Sequence, residues 1–380
     1  MLKMESSGFS TVFSICSSIK KSKPLSSLIT SSSSSPLIPT PSTRITVPVK
    51  PISIGITKRS LSVVSGSKSD EFQPISAPQV SDSFFRSVLA SMEKVYLSRN
   101  PTAGAILELV HSFDASPICY DHLAFRTFGV DGHGINSMAK FFLEFGYTAK
   151  EELRFPAKKL KALWFAPPGN NYTGYGSGVS GPLPRVFISE LLVHEMSSRA
   201  QEIIRKYTNL SGSGAKYAAL ASAVGSLPWK KPSLSEFQEL ARESEYAAWT
   251  LVNGYALNHV TISTHRLKSH LKNIHSLNQF IEENGFKLNS EGGVLKVSPD
   301  GLLLQSSTVA DSTVFDFADG TSESVPRSYI EFAERLVLPQ FKNLPEREVK
   351  EFHRRDGFEV GNADKIFEST SKDQLTRKAA

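Results

Sequence analysis

Cysteine is scarce in this 380-residue chain, which contains only Cys16 and Cys119. Beyond residue 69 Cys119 stands alone, so that part of the chain can form no internal disulfide and no zinc site built on cysteine. Cys119 directly precedes an alternating strand pattern, which favours a buried structural thiol over a nucleophile.

Long apolar runs are absent as well, since none approaches the roughly 20 residues of a membrane-spanning helix. Acidic residues are nearly missing from residues 1–69, which hold nine basic side chains and only Glu5 as an acid. The remaining chain has 34 basic and 36 acidic residues, although the whole chain carries a net charge of +6. Nucleic-acid binding needs a basic face on the folded part. We therefore predict neither a nucleic-acid nor a membrane partner, and the oligomeric state stays open.

The first 69 residues have the composition of a targeting segment. They contain 21 serines, including the run 31–35, together with scattered lysines. Such a segment cannot bury enough apolar surface to fold, and a serine-rich, acid-poor N-terminus is typical of organelle transit peptides. Because lysine outnumbers arginine here, we predict a disordered transit peptide for import into a plastid, the stroma of a chloroplast or amyloplast.

The rest of the chain predicts an α+β protein. Helical periodicity precedes the first strand pattern, and two similar strand-rich units then flank a long helical stretch. We expect two βαβββ modules that pair to form an open barrel. The predicted parts are the transit peptide (1–69), N-terminal helices (70–118), a first βαβββ module (119–194), a helical insertion (195–252), a second βαβββ module (253–344) and a C-terminal extension (345–380).

The two units repeat one another in their motifs, and each places a histidine on a strand, a glycine after a helix and a glutamate on a later strand. His122 and Glu190 are 68 residues apart, and His259 and Glu331 are 72 apart. The repeated motifs are YDHLAFRTF (120–128), EFGY (144–147) and RVFISEL (185–191) in the first unit, and LNHVTISTH (257–265), ENGF (283–286) and SYIEFAER (328–335) in the second.

This repetition predicts a metal site inside the barrel. Pseudo-symmetry would bring His122 and His259 to one cavity, where a carboxylate completes a set of three ligands. Two histidines and one carboxylate are the usual ligands of a redox iron that keeps open positions, although zinc accepts the same set. Either Glu331 or Glu190 could supply the carboxylate, because the spacing gives both of them equivalent places.

Arg126 lies on the same face of the predicted strand as His122, because residues two and four apart share a face. An inward-facing guanidinium is costly to bury unless it meets an anion, and its fork of donors matches a carboxylate. The sequence leaves two partners open, which are an anionic substrate and a structural acid such as Glu190.

Four of these motifs resemble a known enzyme family. The paired modules resemble the vicinal oxygen chelate superfamily and, more narrowly, the 2-oxoadipate dioxygenase/decarboxylase (hydroxyglutarate synthase) family in its plant plastid branch. The resemblance covers roughly residues 80–370. The motifs that carry it are DHLAFRTFG (121–129), PRVFISEL (184–191), NHVTIS (258–263) and YIEFAER (329–335).

The resemblance implies an iron(II) enzyme of lysine breakdown. It would use dioxygen to turn 2-oxoadipate into 2-hydroxyglutarate with release of CO₂. The implied metal ligands are His122, His259 and Glu331, and the implied substrate arginine is Arg126. The family also encloses its substrate with residues near the C-terminus, which corresponds here to the region 357–370.

Two further expectations concern the strand of the second histidine. Thr261 and Ser263 share a face with His259 and are expected to hydrogen-bond the bound acid.

Two rival functions stay open. One is a non-redox lyase or isomerase of the same fold that holds zinc or nickel through four ligands, Glu190 included. The other is a catalytically silent plastid protein that influences starch metabolism through its contacts.

Overall fold

The computed structural model describes residues 82–169, 176–211 and 214–376. The predicted transit peptide lies outside these residues. In the described part, no helix is long and apolar enough to cross a membrane.

The α-helices are α1 (Asp82–Arg99), α2 (Pro101–Asp114), α3 (Ile135–Glu144), α4 (Ser198–Thr208), α5 (Gly214–Val224), α6 (Leu234–Glu243), α7 (Glu245–Asn253), α8 (Ile274–Glu283), α9 (Val360–Ile366) and α10 (Lys372–Thr376). The strands are β1 (Tyr120–Phe128), β2 (Thr148–Phe155), β3 (Leu160–Ala166), β4 (Arg185–Leu191), β5 (Leu257–Ser263), β6 (Lys296–Val297), β7 (Leu303–Ser307), β8 (Ser312–Asp316), β9 (Ser322–Pro326) and β10 (Tyr329–Arg335).

Eight strands form one open sheet in the order β2-β3-β4-β1-β5-β10-β7-β6. Counted outward from the centre, each half presents its histidine strand first, its last strand second and its hairpin strands beyond. β1 runs parallel to β4, β5 runs parallel to β10, and β1 and β5 meet antiparallel at the centre. The predicted α+β class is thereby confirmed, and the two repeated units lie side by side in one sheet.

The helices that follow the histidine strands begin differently but end in the same way. In α8, Asn273 caps the first turn by accepting hydrogen bonds from the backbone of His275 and Ser276. Both α3 and α8 are followed by a glycine with positive φ, Gly146 at 84° and Gly285 at 85°. Glycine adopts this left-handed conformation without steric cost, which ends the helix and turns the chain back toward the sheet.

The second module adds a separate hairpin to the βαβββ pattern expected from the sequence. In the segment 286–288, which follows α8, Leu288 makes only an isolated bridge to Thr308. β8 does not join the large sheet, because it pairs with β9 in a separate two-stranded sheet. An Asp319-Gly320 turn, with Gly320 at φ 80°, closes this hairpin.

The hairpin instead packs on the helical insertion. The ring of Phe317 lies 5.4 Å from that of Phe237 in α6, and the Ala318 backbone donates to the carbonyl of Pro232. Within the insertion, the hydroxyls of Ser197, Ser233 and Ser244 accept hydrogen bonds at the starts of α4, α6 and α7. The cap at Ser233 agrees with the capping-box spacing of Ser233 and Glu236 in the sequence.

Candidate metal centre

His122 and His259 meet because β1 and β5 are adjacent at the centre of the sheet. In this register His122 lies opposite Thr261, and Ala124 lies opposite His259. The two Nε2 atoms are 3.4 Å apart, although the residues are separated by 137 positions in the chain. Both side chains are buried, at 2% and 5% exposure.

Glu331 joins the pair from the next strand. It lies on β10 opposite Thr261 of β5. Its Oε2 atom is 3.1 Å from Nε2 of His259 and 3.7 Å from Nε2 of His122. Glu331 is 1% exposed, so the sheet brings three ligand-type side chains together out of contact with bulk water.

These three atoms fit a metal ion. Ligands about 2.1 Å from a common ion lie roughly 3–3.5 Å from one another, and the observed separations of 3.1–3.7 Å agree with this. In the described part of the chain, His122, His259 and Glu331 form the one group of three or more such side chains with this geometry. The structure therefore contains a candidate metal centre with two nitrogen ligands and one oxygen ligand.

Neighbouring side chains fix the orientation of each ligand. The Nδ1 atom of His122 lies 2.8 Å from Oδ1 of Asp121, and that of His259 lies 2.9 Å from Oδ1 of Asn258. Since each Nδ1 is engaged in this way, each Nε2 is directed at the common centre. The amide of Gln305 donates to Oε1 of Glu331 at 2.7 Å, which leaves Oε2 for the ion.

The electrostatics of the cluster favour the metal-binding charge states of Glu331 and His259, but not that of His122. Burial would by itself raise the pKa of Glu331, but His122 and His259 outweigh it and the pKa falls to about 2. Burial lowers the pKa of His259 to about 4. Burial also acts to lower the pKa of His122, yet Glu331 and Asp121 reverse this and raise it. At neutral pH the site thus offers an ionised carboxylate and a neutral imidazole.

Asp121 is itself held by buried arginines. Arg335 donates to both of its carboxylate oxygens, at 2.6 and 2.9 Å, and Arg185 approaches it at 3.4 Å. Burial would raise the pKa of Asp121, but these two arginines bring it well below its usual range. Arg335 also donates to the carbonyl of Gly357, so the partner of His122 is connected to the C-terminal extension.

The C-terminal extension covers the centre. Phe358 meets the His122 ring edge-on with ring centres 4.8 Å apart. A small cavity of about 20 Å³ remains beside the cluster, and Ala363, Ile366 and Phe367 close it from the extension. The expected enclosing region at 357–370 therefore does lie over the site. The sequence pointed to the region but not to the individual residues, because they carry no metal-ligand spacing.

Arg126 points into the same side of the sheet and is 2% exposed. Its guanidinium donates to the hydroxyl of Thr370 at 3.1 Å and to the carbonyl of Phe367 at 3.4 Å. Its Nε atom is buried without a hydrogen-bond partner, and among the described residues no carboxylate forms a salt bridge with it. Of the two partners left open by the sequence, the structural acid is therefore not present.

Glu190 does not belong to the cluster, contrary to the alternative raised by the sequence. It lies opposite Thr127, on the face of the sheet away from His122. Its carboxylate accepts from the Ile135 backbone at 2.7 Å, at the start of α3, and lies 3.2 Å from Lys161. A four-ligand site that includes Glu190 is therefore ruled out by the strand geometry.

The assumed equivalence of Glu190 and Glu331 was also wrong. The counterpart of Glu190 is Glu334, which accepts from the first backbone amide of α8, that of Ile274, at 2.8 Å. Strand register pairs His122 with Arg185 and His259 with Tyr329. The position that corresponds to Glu331, two residues farther along, is thus Phe187 in the first module. An aromatic ring, not a fourth ligand, occupies that corner of the site.

The hydroxyls of Thr261 and Ser263 have different neighbours in the structure. The hydroxyl of Thr261 lies 3.0 Å from Nε2 of His122, beside the candidate centre. The hydroxyl of Ser263 lies 3.3 Å from Nε2 of His265, which in turn contacts Glu351. Of the two, the structure brings only Thr261 to the cluster.

Comparisons with known proteins show which family this chain is similar to. A model of the 2-oxoadipate dioxygenase/decarboxylase family matches residues 88–349. A chloroplastic/amyloplastic 2-oxoadipate dioxygenase/decarboxylase of Oryza sativa subsp. japonica is 68% identical over 324 residues, covering 85% of this chain and 88% of the relative. A chloroplastic 2-oxoadipate dioxygenase/decarboxylase of Arabidopsis thaliana is 66% identical over 330 residues, covering 85% and 89%. The crystal structure of the hydroxyglutarate synthase from Oryza sativa in complex with 2-oxoadipate matches with a TM-score of 0.77 at 68% identity, covering 83% of this chain and 100% of that one.

Proposed function

Because this chain belongs to the 2-oxoadipate dioxygenase/decarboxylase family, we propose that it is an enzyme that converts 2-oxoadipate and dioxygen into 2-hydroxyglutarate and CO₂. The observation that carries the proposal is the convergence of His122, His259 and Glu331 within a buried site that also contains Arg126. The atoms of the reaction balance without an external reductant, because the substrate supplies the electrons when it loses CO₂.

The proposed metal is iron(II), held by Nε2 of both histidines and by Oε2 of Glu331. Iron would supply a redox centre with positions open to a chelating 2-oxo acid and to dioxygen, whereas zinc has no redox chemistry. Phe187 supports this reading, because the first module provides a ring where a fourth protein ligand would otherwise lie.

The side chains around the ligands have distinct tasks. Asp121, Asn258 and Gln305 hold the three ligands in their orientations through the contacts described above. Phe358 and Phe367 exclude water from the reacting end of the substrate. Thr261, whose hydroxyl lies beside the cluster, is proposed to hydrogen-bond the bound acid.

Arg126 is proposed to bind the distal carboxylate of 2-oxoadipate. It stands four residues from His122 on one strand, a separation of roughly 13 Å along the backbone. Its buried, unpaired Nε and its lack of a salt bridge in the described structure leave it available to an anion. Fixing both ends of a short dicarboxylic acid would orient the 2-oxo group at the metal and select against monocarboxylic 2-oxo acids.

The direct test is substrate-dependent oxygen consumption by the iron-loaded protein. We expect 2-oxoadipate to give O₂ uptake with equal amounts of CO₂ and 2-hydroxyglutarate, and we expect 2-oxoglutarate and 2-oxoisocaproate to react far more slowly. Replacement Glu331→Gln should abolish uptake and metal retention together. Absence of O₂ uptake with all three acids would refute the proposal and leave the silent plastid protein as the favoured reading.

We further propose that residues 1–69 direct the protein to the plastid stroma. The supporting observations are their serine-rich, acid-poor composition and the chloroplastic or amyloplastic names of the two plant relatives. A fluorescent protein fused behind these residues should accumulate in plastids of plant cells. Retention of the fusion in the cytosol would contradict the proposal.

A further inference from the structure

The positive charge of Arg126 is buried, and no carboxylate of the described residues is bound to it. Glu368 lies near enough to affect its pKa, but the Glu368 carboxylate is bonded to Lys158 at 2.6 Å. Glu245 contributes a smaller attraction, and it accepts from the backbone of Lys372. Burying an unpaired guanidinium is costly, so other groups must stabilise this charge before any substrate arrives.

Three aromatic rings surround the guanidinium. Its central carbon lies 4.9 Å from the centre of the Trp249 ring, 5.0 Å from that of Tyr246 and 5.6 Å from that of Phe367. All three are within the 6 Å over which a cation is attracted to the face of a ring. We call Tyr246, Trp249 and Phe367 the aromatic clamp.

The chemistry of the aromatic clamp differs from that of a salt bridge. A carboxylate partner binds the N–H groups at the edge of a guanidinium and so takes the donors that a substrate needs. Ring faces attract the positive charge without consuming hydrogen-bond donors. A clamp of rings therefore stabilises Arg126 and leaves the donors that Thr370 and the Phe367 carbonyl do not use available for the carboxylate of a substrate.

Two of the rings come from the helical insertion. Tyr246 and Trp249 are three residues apart on α7 and so share one face of that helix. The Tyr246 hydroxyl lies 2.8 Å from that of Ser189 on β4, and the Trp249 indole donates to the carbonyl of Arg327. These anchors fix Tyr246 to β4 and Trp249 to the segment between β9 and β10. The Tyr246 hydroxyl also accepts from the Thr127 backbone at 3.1 Å, which holds α7 against β1.

We propose that Tyr246 and Trp249 are positioning residues for Arg126, and that the insertion thereby gives the site its preference for dicarboxylic 2-oxo acids. This inference rests on the proposed function. It assigns a task to residues 195–252 that the ligand set alone does not reveal. The insertion acts on the distal end of the substrate and leaves the metal end untouched.

The test compares Trp249→Leu with wild type on 2-oxoadipate and on 2-oxohexanoate, its analogue without the distal carboxylate. We expect kcat/KM for 2-oxoadipate to fall about tenfold, mainly through KM, since one buried cation–ring contact is lost. For 2-oxohexanoate kcat/KM should stay unchanged. Calorimetry without oxygen should show the same loss in the affinity for 2-oxoadipate, and Trp249→Phe should recover most of it.

A matched control separates positioning from simple loss of packing. Trp229 is also buried and its indole also donates to a backbone carbonyl, that of Leu251, but its ring packs on Phe128 and Tyr255 instead of Arg126. Trp229→Leu should lower the stability of the protein without changing the ratio of kcat/KM for 2-oxoadipate to kcat/KM for 2-oxohexanoate. In an Arg126→Met background, Trp249→Leu should cause no further loss for 2-oxoadipate.

Two outcomes would overturn the inference while leaving the proposed function intact. One is an equal fall in kcat/KM for both substrates in Trp249→Leu. The other is a fall in kcat/KM for 2-oxoadipate that is as large in the Arg126→Met background as in the wild-type background. Failure of the wild-type protein to consume oxygen with 2-oxoadipate would instead refute the proposed function. If Trp249→Leu does not fold, Tyr246→Leu provides the same comparison, because it removes another ring of the aromatic clamp.

Discussion

Replacement of Asp121 by asparagine tests how the buried charge network supports the metal ligand. Asp121 is 2% exposed and uses both carboxylate oxygens, since it receives two hydrogen bonds from Arg335 and contacts His122 at 2.8 Å. Asparagine keeps the volume and one oxygen for His122, but it removes the charge opposite a fully buried guanidinium. Breaking such a pair typically costs about 3–5 kcal/mol.

The second module indicates how much Asp121→Asn should affect stability and how much it should affect metal binding. Asn258 occupies the place before His259 that Asp121 occupies before His122, and its amide oxygen already meets Nδ1 of His259 at 2.9 Å. A neutral amide is therefore adequate for orienting an imidazole. We expect Asp121→Asn to lower the free energy of unfolding by about 3 kcal/mol but to weaken metal binding only about tenfold, at the low end for such neighbours.

The assay is urea unfolding of the metal-free protein together with anaerobic competition for iron against a chelator. Asp316→Asn is the control, since Asp316 is exposed on β8 and accepts only from Ser322 among the described contacts. Unchanged stability in Asp121→Asn would refute the account of the arginine network. A complete loss of metal binding would refute the comparison with Asn258.

Two further predictions concern groups near the centre. Glu190→Gln should leave metal affinity unchanged and lower the free energy of unfolding by about 1 kcal/mol, because Glu190 contacts the start of α3 and not the cluster; loss of bound iron in this variant would reinstate Glu190 as a ligand. Lys296 has a pKa lowered to about 8 by burial, so above pH 8 the folded state holds fewer protons than the unfolded state and stability gains from rising pH. Compared with Lys296→Met, the wild-type protein should therefore become relatively more stable between about pH 8 and 10.5 in urea unfolding, and a difference that does not vary with pH would contradict this.

The sequence predicted those parts of the site that depend on strand alternation and repetition. His122, Arg126 and His259 could be placed on inward faces because side chains alternate on a strand. The two carboxylates could not be told apart in this way, since spacing does not give register. The pairing of β4 with β1 and of β10 with β5 shows that Glu190 corresponds to Glu334. Glu190 is therefore offset by three residues from the position equivalent to Glu331.

The contributions of distant segments could not be predicted either. Tyr246 and Trp249 belong to a helix whose pattern reads as ordinary packing, and their contact with Arg126 appears only when α7 lies against the sheet. Phe358 and Phe367 likewise reach the centre from the C-terminal extension. Long-range contacts of this kind depend on tertiary packing, which local propensity does not encode.

The phenyl ring at position 187 explains why the two halves cannot be identical copies. A symmetric dimer built from identical copies of one half would present either two carboxylates or none, since every substitution would appear twice. Three protein ligands, an odd number, require that sister positions hold different amino acids, Phe187 in one copy and Glu331 in the other. Covalent fusion of duplicated halves permits this divergence, and with it a candidate metal centre that has three protein ligands.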